Sequence, residues 1–547
     1  MNKLSTLLFL HVIMSLPAWA QQPVFTHQDT LRGSIGYGRQ NWDVTYYNIT
    51  VEPDFNTKTI HGKNTIRFTN KGVHIMQIDL QEPMQMDSIN YRNQPLTYNR
   101  DGNAFFIQLP NLNNDLRKVF TDSITIYFSG KPKEARNAPW DGGWIWKKDN
   151  DGNPWMTVAC QGLGASVWYP CKDTQSDEPD EGASLTIIAP DTLVAVGNGR
   201  LMATKNVNGQ KKSFTWVVVN PINNYNIVPY IGKYSHWGEI YKGRKGNLTM
   251  DYWVLNYNVE KAKSHFKDAG RMMKAFEYWM GPYPFYEDGY KLVEAPHLGM
   301  EHQSAIAYGN HFKNGYLGRD LSGTGEGLKW DFIIVHESGH EWFGNNITSK
   351  DIADMWIHEG FTNYSETLFT DYYYGTAAGN AYNIGCRKNI QNDKPIIGPY
   401  GVNKEGSGDM YYKASAMIHT LRQVINNDKK FRKILVGLNK IFYHKTITTD
   451  DITAFLYHSV KHKFDVIPFL KQYLTTTDIP ILEYKIENNI LYYRFTHCMD
   501  GFQVPLKLKD SKIWIYPTTE PKEMKWKSGN PLLEIDPNFY IQIKKVQ

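Results

Sequence analysis

The sequence predicts a multidomain α+β protein: an N-terminal antiparallel β domain, a mixed α/β middle domain and a small C-terminal β-sandwich. Three observations predict it. Short alternating runs of β-branched and aromatic residues fill the chain from about Trp42 to Tyr257. Near Val259 the apolar residues change to helical spacing. Beyond residue 476 the alternating pattern returns. A chain of 547 residues is long enough for two to four domains, and 41% hydrophobic residues suffice for ordinary cores.

Residues 1–20 read as a secretory signal. Lys3 supplies the positive start, Leu7 to Met14 a short apolar stretch, and Ala18-Trp19-Ala20 a small-x-small cleavage site. The stretch is short for a membrane anchor, and no later segment is long and apolar enough to span. The expected mature chain begins near Gln21, has no transmembrane span and is exported to the periplasm or the medium.

Residues 21–257 form the first domain. Asp43 to Val51 and Thr65 to Thr69 are strand-like, and turn clusters such as Asn93-Gln94-Pro95 and Asn208-Gly209 separate such runs. The tryptophan-rich stretch Trp140 to Trp155 reads as a long loop interrupting the strands. Its tryptophans serve either packing or substrate contact. In the second domain, residues 258–476, Ala262, Phe266, Ala269, Met273, Phe276 and Trp279 recur at helical spacing until Gly281-Pro282 stops the helix. Ala414 to Val424 reads as another amphipathic helix. In residues 477–547, Leu482 to Ile486 and Ile490 to Phe495 flank an Asn488-Asn489 turn and predict a hairpin.

The formal charge of +5 is small for this length and no long basic run occurs, so nucleic acid is not an expected partner. The four cysteines, Cys160, Cys171, Cys386 and Cys498, lack metal-finger spacing. An oxidising compartment permits Cys160 to pair with Cys171; buried free thiols are the preferred reading.

The chemistry concentrates in His336-Glu337-Ser338-Gly339-His340, followed after a gap of eighteen residues by Glu359. Histidines four apart on a helix project from one face. Their ring nitrogens can meet a single Zn2+ at roughly 2.0–2.1 Å, and Glu359 completes a three-ligand site with one position open. Glu337 is placed to take a proton from a water on that metal. A surface helix with a solvated glutamate is the bland alternative. The largely apolar segment Trp330 to Val335 before the motif, and the apolar residues around Glu359, argue for burial instead, where such groups require partners. Gly339 costs roughly 1 kcal/mol of helix propensity, which points to close packing at that position.

This pattern resembles the aminopeptidase N and leukotriene hydrolase family of zinc metallopeptidases, over most of the chain beyond the leader. The resemblance implies a thermolysin-like catalytic domain at 258–476, with His336, His340 and Glu359 as zinc ligands, one Zn2+ per chain, and Glu337 as general base. Gly299-Met300-Glu301-His302 resembles the family's exopeptidase signature Gly-x-Met-Glu-Asn, in which the glutamate holds the substrate's free α-amino group. Leu298 and His302 depart from it, standing where glycine and asparagine are usual. Cys160-Gln161-Gly162 resembles a β-domain segment whose glutamine helps hold that amine, and Tyr411-Tyr412-Lys413-Ala414 resembles Tyr-x-Lys-Gly, whose tyrosine stabilises the oxyanion. The resemblance thus implies Glu337 and Tyr411 as catalytic residues, and Gln161, Gly299, Met300, Glu301 and His302 as substrate-binding ones. The expected substrates are peptides with a free N-terminus. The rival expectations are a zinc endopeptidase of the same fold and a non-catalytic peptide-binding relative. Epoxide hydrolysis belongs to a branch with a large C-terminal helical domain and is disfavoured.

Overall fold

A computed structural model describes residues 24–110, 119–526 and 531–547. The leader expected at residues 1–20 lies outside the described residues. Strands Trp42–Asp54 and Thr59–Asn70 open the first domain as a hairpin, with Trp42 opposite Asn70 and Asp54 opposite Thr59. Their side chains alternate between faces, so Ile49, Val51, Ile66 and Phe68 are buried together. The hairpin lies inside an eight-stranded sheet. Pairing is antiparallel except where Trp42–Asp54 runs parallel to Ala183–Pro190. Arg92 and Asn93 both adopt positive φ and turn Gln85–Tyr91 back onto Gln94–Pro95.

The stretch Trp140 to Trp155 corrects the reading as a loop. Gly143–Lys148 and Pro154–Ala159 are antiparallel strands. Asp149 closes their turn by accepting the amides of Asp151 and Asn153. Trp144 and Trp146 are buried packing residues, while Trp140 remains 64% exposed.

A second difference concerns Tyr234–Gly243 and Gly246–Leu255. This hairpin, expected to end the β domain, pairs in parallel through Met250 to Trp253 with Tyr290–Glu294. It thereby joins a five-stranded mixed sheet whose other members are Ile306–Tyr308 and, at the edge, Gly299–Met300. The predicted helix is split at Phe266 into Val259–His265 and Lys267–Met280, and Gly281 ends it at φ 102°.

Helix Phe332–Gly339 is buried along its whole length, as an apolar sequence with a hidden polar motif requires. Asp331 caps it by accepting the Ile334 amide. After His340 the chain breaks from helical geometry at Phe343 and at Gly344, where φ is 137°. It returns as the long helix Trp356–Tyr374, which packs against the motif helix. At Gly339 an added Cβ would lie 2.6 Å from Ser365 Oγ and 3.1 Å from Thr362 Cγ2. The glycine therefore sets how closely these two helices approach.

Helices Tyr412–Ile425, Asp428–Ile441, Thr449–Val460 and Val466–Thr475 complete the middle domain. The C-terminal hairpin Ile481–Glu487 and Ile490–Thr496 turns through Asn488 and Asn489, both at positive φ. It lies in a four-stranded sheet beside a two-stranded ribbon. Leu482, Leu491 and Phe495 extend the same core that holds Phe469 and Tyr473 of the last helix. Among the described residues, no helix is long and apolar enough to cross a membrane.

Candidate active site

The motif helix and the long helix bring His336, His340 and Glu359 together. Glu359 Oε2 lies 3.7 Å from His336 Nε2 and 3.4 Å from His340 Nε2. One ligating atom from each residue falls within 4.8 Å of the others. The opposite ring nitrogens are anchored. His336 Nδ1 is 2.7 Å from Glu366 Oε1, and His340 Nδ1 is 3.1 Å from the Phe343 carbonyl. These acceptors place the ring protons on Nδ1 and leave both Nε2 lone pairs aimed at one point. Glu366 is itself fixed by Asn363 Nδ2 at 3.0 Å and Tyr382 OH at 2.6 Å.

Glu359 Oε2 is buried and has no hydrogen-bond partner. A desolvated carboxylate oxygen facing two imidazole lone pairs is costly unless a cation lies between them. Two nitrogens and one oxygen at this spacing fit Zn2+ with an open coordination position. The carboxylates of the site differ in their surroundings. Burial opposes the charge on Glu359; with no metal between them, positive charge on His340 and His336 outweighs burial and holds its pKa well below the usual range, a role that a bound cation would take over. For Glu337 burial dominates and its pKa is pushed up to about 7.

Gly299–Met300 is the sheet edge that faces the motif helix. A Cβ at Gly299 would lie 2.7 Å from Glu337 Oε1 and 2.9 Å from Ile333 Cγ2, so this close approach requires glycine. The next residues place Glu301, which is 2% exposed, where its carboxylate comes within 4.8 Å of those of Glu337 and His340 Nε2 or Nδ1 as a group. Glu301 Oε1 accepts from Gln161 Nε2 at 2.5 Å and from Tyr225 OH at 2.9 Å. Its backbone carbonyl accepts from Asn345 Nδ2 at 2.9 Å. Burial raises the pKa of Glu301.

Gln161, Gly299, Met300, Glu301, Glu337 and Tyr411 all line one cleft of about 610 Å³ with the three ligand residues. His302 corrects the sequence reading of the exopeptidase motif. It is fully buried outside the cleft lining, with Nδ1 2.5 Å from Tyr230 OH. Tyr411 ends the turn Gly408–Met410, and its ring stacks on His336 with centroids 6.1 Å apart. Burial, then the charges of Glu359 and Glu301, raise its pKa and keep the phenol protonated as a donor. Tyr412, the neighbouring candidate, also lines the cleft.

Sequence reasoning missed Tyr225, Asn345 and Glu366. Glu366 had a usable signal, since it follows Glu359 by seven residues and so shares its helix face. Tyr225 and Asn345 carry no local signal, because they reach Glu301 from separate turns. All four cysteines are free thiols, and Cys160, Cys171 and Cys386 are buried.

Residues 266–473 match the sequence model of the peptidase family M1 domain. Leukotriene A-4 hydrolase of Xenopus laevis is 23% identical over 415 residues, covering 72% of this chain and 63% of that protein. Aminopeptidase N of Canis lupus familiaris is 22% identical over 321 residues, covering 54% of this chain and 32% of that protein. The chain thus spans less than two thirds of the length of these curated relatives. Among solved structures, an M1 zinc metallopeptidase mutant of Deinococcus radiodurans bound to a Tyr-Ser-Ala substrate is similar at a TM-score of 0.66 and 18% identity, covering 80% of this chain and 95% of that one. Another structure of the Deinococcus radiodurans M1 zinc metallopeptidase gives a TM-score of 0.65 at 18% identity, with 77% and 91% covered. Residues 266–473 carry the sequence pattern of a peptidase family M1 domain, and the chain is similar to leukotriene A-4 hydrolase and aminopeptidase N.

Proposed function

We propose that this protein is an exported zinc aminopeptidase that removes the first residue from peptides with a free N-terminus. The observation that carries the reading is Glu301. Its carboxylate is buried in the cleft, with one oxygen within 4.8 Å of a carboxylate oxygen of Glu337 and a ring nitrogen of His340. Gln161 and Tyr225 both donate to it, which favours its charged form. A substrate ammonium supplies the missing countercharge. The amino nitrogen and carbonyl carbon of one residue are separated by two bonds, roughly 2.5 Å. A carboxylate this close to the base therefore docks the amine of the residue whose carbonyl reacts, and cleavage follows the first residue.

His336, His340 and Glu359 would hold the zinc, which when bound polarises the scissile carbonyl and acidifies a water beside it. Glu337 accepts the proton of the attacking water and then delivers it to the leaving amine. Tyr411 donates a hydrogen bond to the oxygen that gains charge, a contribution worth roughly 2.7–4 kcal/mol in comparable sites. Export rests on the charged start, the short apolar stretch and the Ala18-Trp19-Ala20 site of the sequence. A secreted form whose intact mass places its first residue near Gln21 supports it, and a form retaining Met1 to Ala20 overturns it.

The test of the activity compares one short peptide in free and N-acetylated forms. Release of the first residue from the free form alone, lost with a chelator, is the expected outcome. Cleavage of both forms would make the protein an endopeptidase and remove Glu301 from its role.

A further inference from the structure

The end of the cleft beyond the amine clamp has its own chemistry, and the loop that builds it is fastened on three sides. Gly398 donates its amide to the Ala353 carbonyl, Gly401 to Asp351 Oδ2, and Asn403 Nδ2 to the Gly162 carbonyl at 3.0 Å. The loop therefore bridges the turn before the long helix and the segment that carries Gln161. It brings Glu405 into the lining of the cleft. Glu405 is exposed, and its carboxylate has no hydrogen bond or ion pair among the described residues.

The same cleft is lined by the apolar residues Trp140, Gly162, Ile352, Met355 and Met410. Gly162 and Ile352 stand against one another, the Ile352 Cδ1 being 3.9 Å from a Cβ built on Gly162. Since Gln161 and Glu301 clamp the amine next to these residues, the side chain of the first substrate residue enters this end.

We infer that Glu405 sets the specificity of this site, selecting peptides whose first residue is lysine or arginine. Apolar walls suit the methylene stem of such a side chain. An unpaired carboxylate beside them meets its ammonium or guanidinium in a charge-assisted hydrogen bond. A first residue with a carboxylate side chain meets like charge. The inference rests on the aminopeptidase reading and assigns the substrate class of that same site.

The test measures kcat/KM for the p-nitroanilides of lysine, arginine, norleucine and glutamate with the wild type, Glu405→Gln and Glu405→Lys. Norleucine reproduces the lysine stem without its charge. The expected wild-type preference is lysine and arginine over norleucine by tenfold or more, with glutamate last. Glu405→Gln collapses the lysine-to-norleucine ratio about tenfold, and Glu405→Lys reverses the order of lysine and glutamate. Binding of lysinamide and norleucinamide to Glu337→Gln protein, by calorimetry, shows the same preference without turnover. If all four substrates are cleaved but their ranking ignores position 405, the aminopeptidase stands and the assignment of Glu405 is wrong. If none is cleaved while an N-acetylated peptide is, the aminopeptidase reading itself fails.

Discussion

Glu337 and Glu359 come from helices that pack side by side, yet their surroundings separate their tasks. Glu359 faces two imidazoles and is held ionised, which suits a metal ligand, whereas Glu337 is buried with its pKa pushed up to about 7, suited to exchanging a proton near neutral pH. Replacing Glu337 with glutamine keeps the shape and removes the base. Turnover is expected to fall by roughly 10²–10⁴-fold, while metal analysis still finds one zinc per chain. Substantial residual turnover would remove Glu337 from its role. Glu366 makes a separable prediction, because it orients His336 without touching the cleft. Glu366→Gln is expected to weaken zinc binding by roughly 10–100-fold in competition with a chelator. An unchanged affinity would mean that Phe332, stacked on His336 at 5.1 Å, suffices to hold the ring. The ligands were legible because helical spacing converts a local string into one face. His302 was misplaced because it adjoins Glu301 in sequence, and adjacency does not state which way a side chain turns where a strand ends. Tyr225 was invisible because its partner lies 76 residues away.

At the level of elements, the distance between the motif helix and the long helix fixes the geometry of the ligands, and Gly339 fixes that distance. Alanine at position 339 would gain roughly 1 kcal/mol of helix propensity in isolation. Here its methyl group meets Ser365 Oγ, which is held by its own bond to the Thr362 carbonyl, so the helices must separate. Overpacking of this kind costs roughly 1–3 kcal/mol. Gly339→Ala is expected to lower the unfolding midpoint and weaken zinc binding together. A variant more stable than the wild type would show that propensity wins and that the contact can relax. Strands and helices were readable from their periods, but partners were not. Tyr234–Gly243 and Gly246–Leu255 alternate like any hairpin of the first domain, yet their register with Tyr290–Glu294 puts them in the central sheet. Trp144 and Trp146 concealed a hairpin because two large aromatics close together suggested a binding loop, whereas their rings pack into the core of the β domain.

Across the whole molecule, the C-terminal strands are tied to the catalytic helices by buried polar contacts as well as by shared core, and His419 lies at that junction. Its Nε2 is 2.9 Å from Asn538 Oδ1 and its Nδ1 is 3.1 Å from Tyr364 OH. Nearby, Tyr540 donates its amide to Thr420 Oγ1 at 3.0 Å, and Arg387 binds the carbonyls of Pro537 and Asn538. The ring is fully buried, and burial lowers its pKa to about 3. In the unfolded chain an ordinary histidine titrates near 6.5. Above that pH neither state takes the proton, so the contribution of His419 is constant and fully present. As pH falls from 6.5 towards 3, the unfolded chain binds a proton that the folded one refuses, and stability drops by about 1.4 kcal/mol per pH unit. His419→Gln keeps a neutral side chain that can still reach Asn538. Other titrating groups, the zinc ligands included, cancel in the difference between wild type and variant. Urea unfolding at pH 5, 6, 7 and 8 is therefore expected to give a difference that is flat above pH 7 and shifts against the wild type by about 2 kcal/mol at pH 5. A difference independent of pH would mean that His419 takes up a proton as readily in the folded protein as in the unfolded chain, so that its burial at the junction does not exclude the charge.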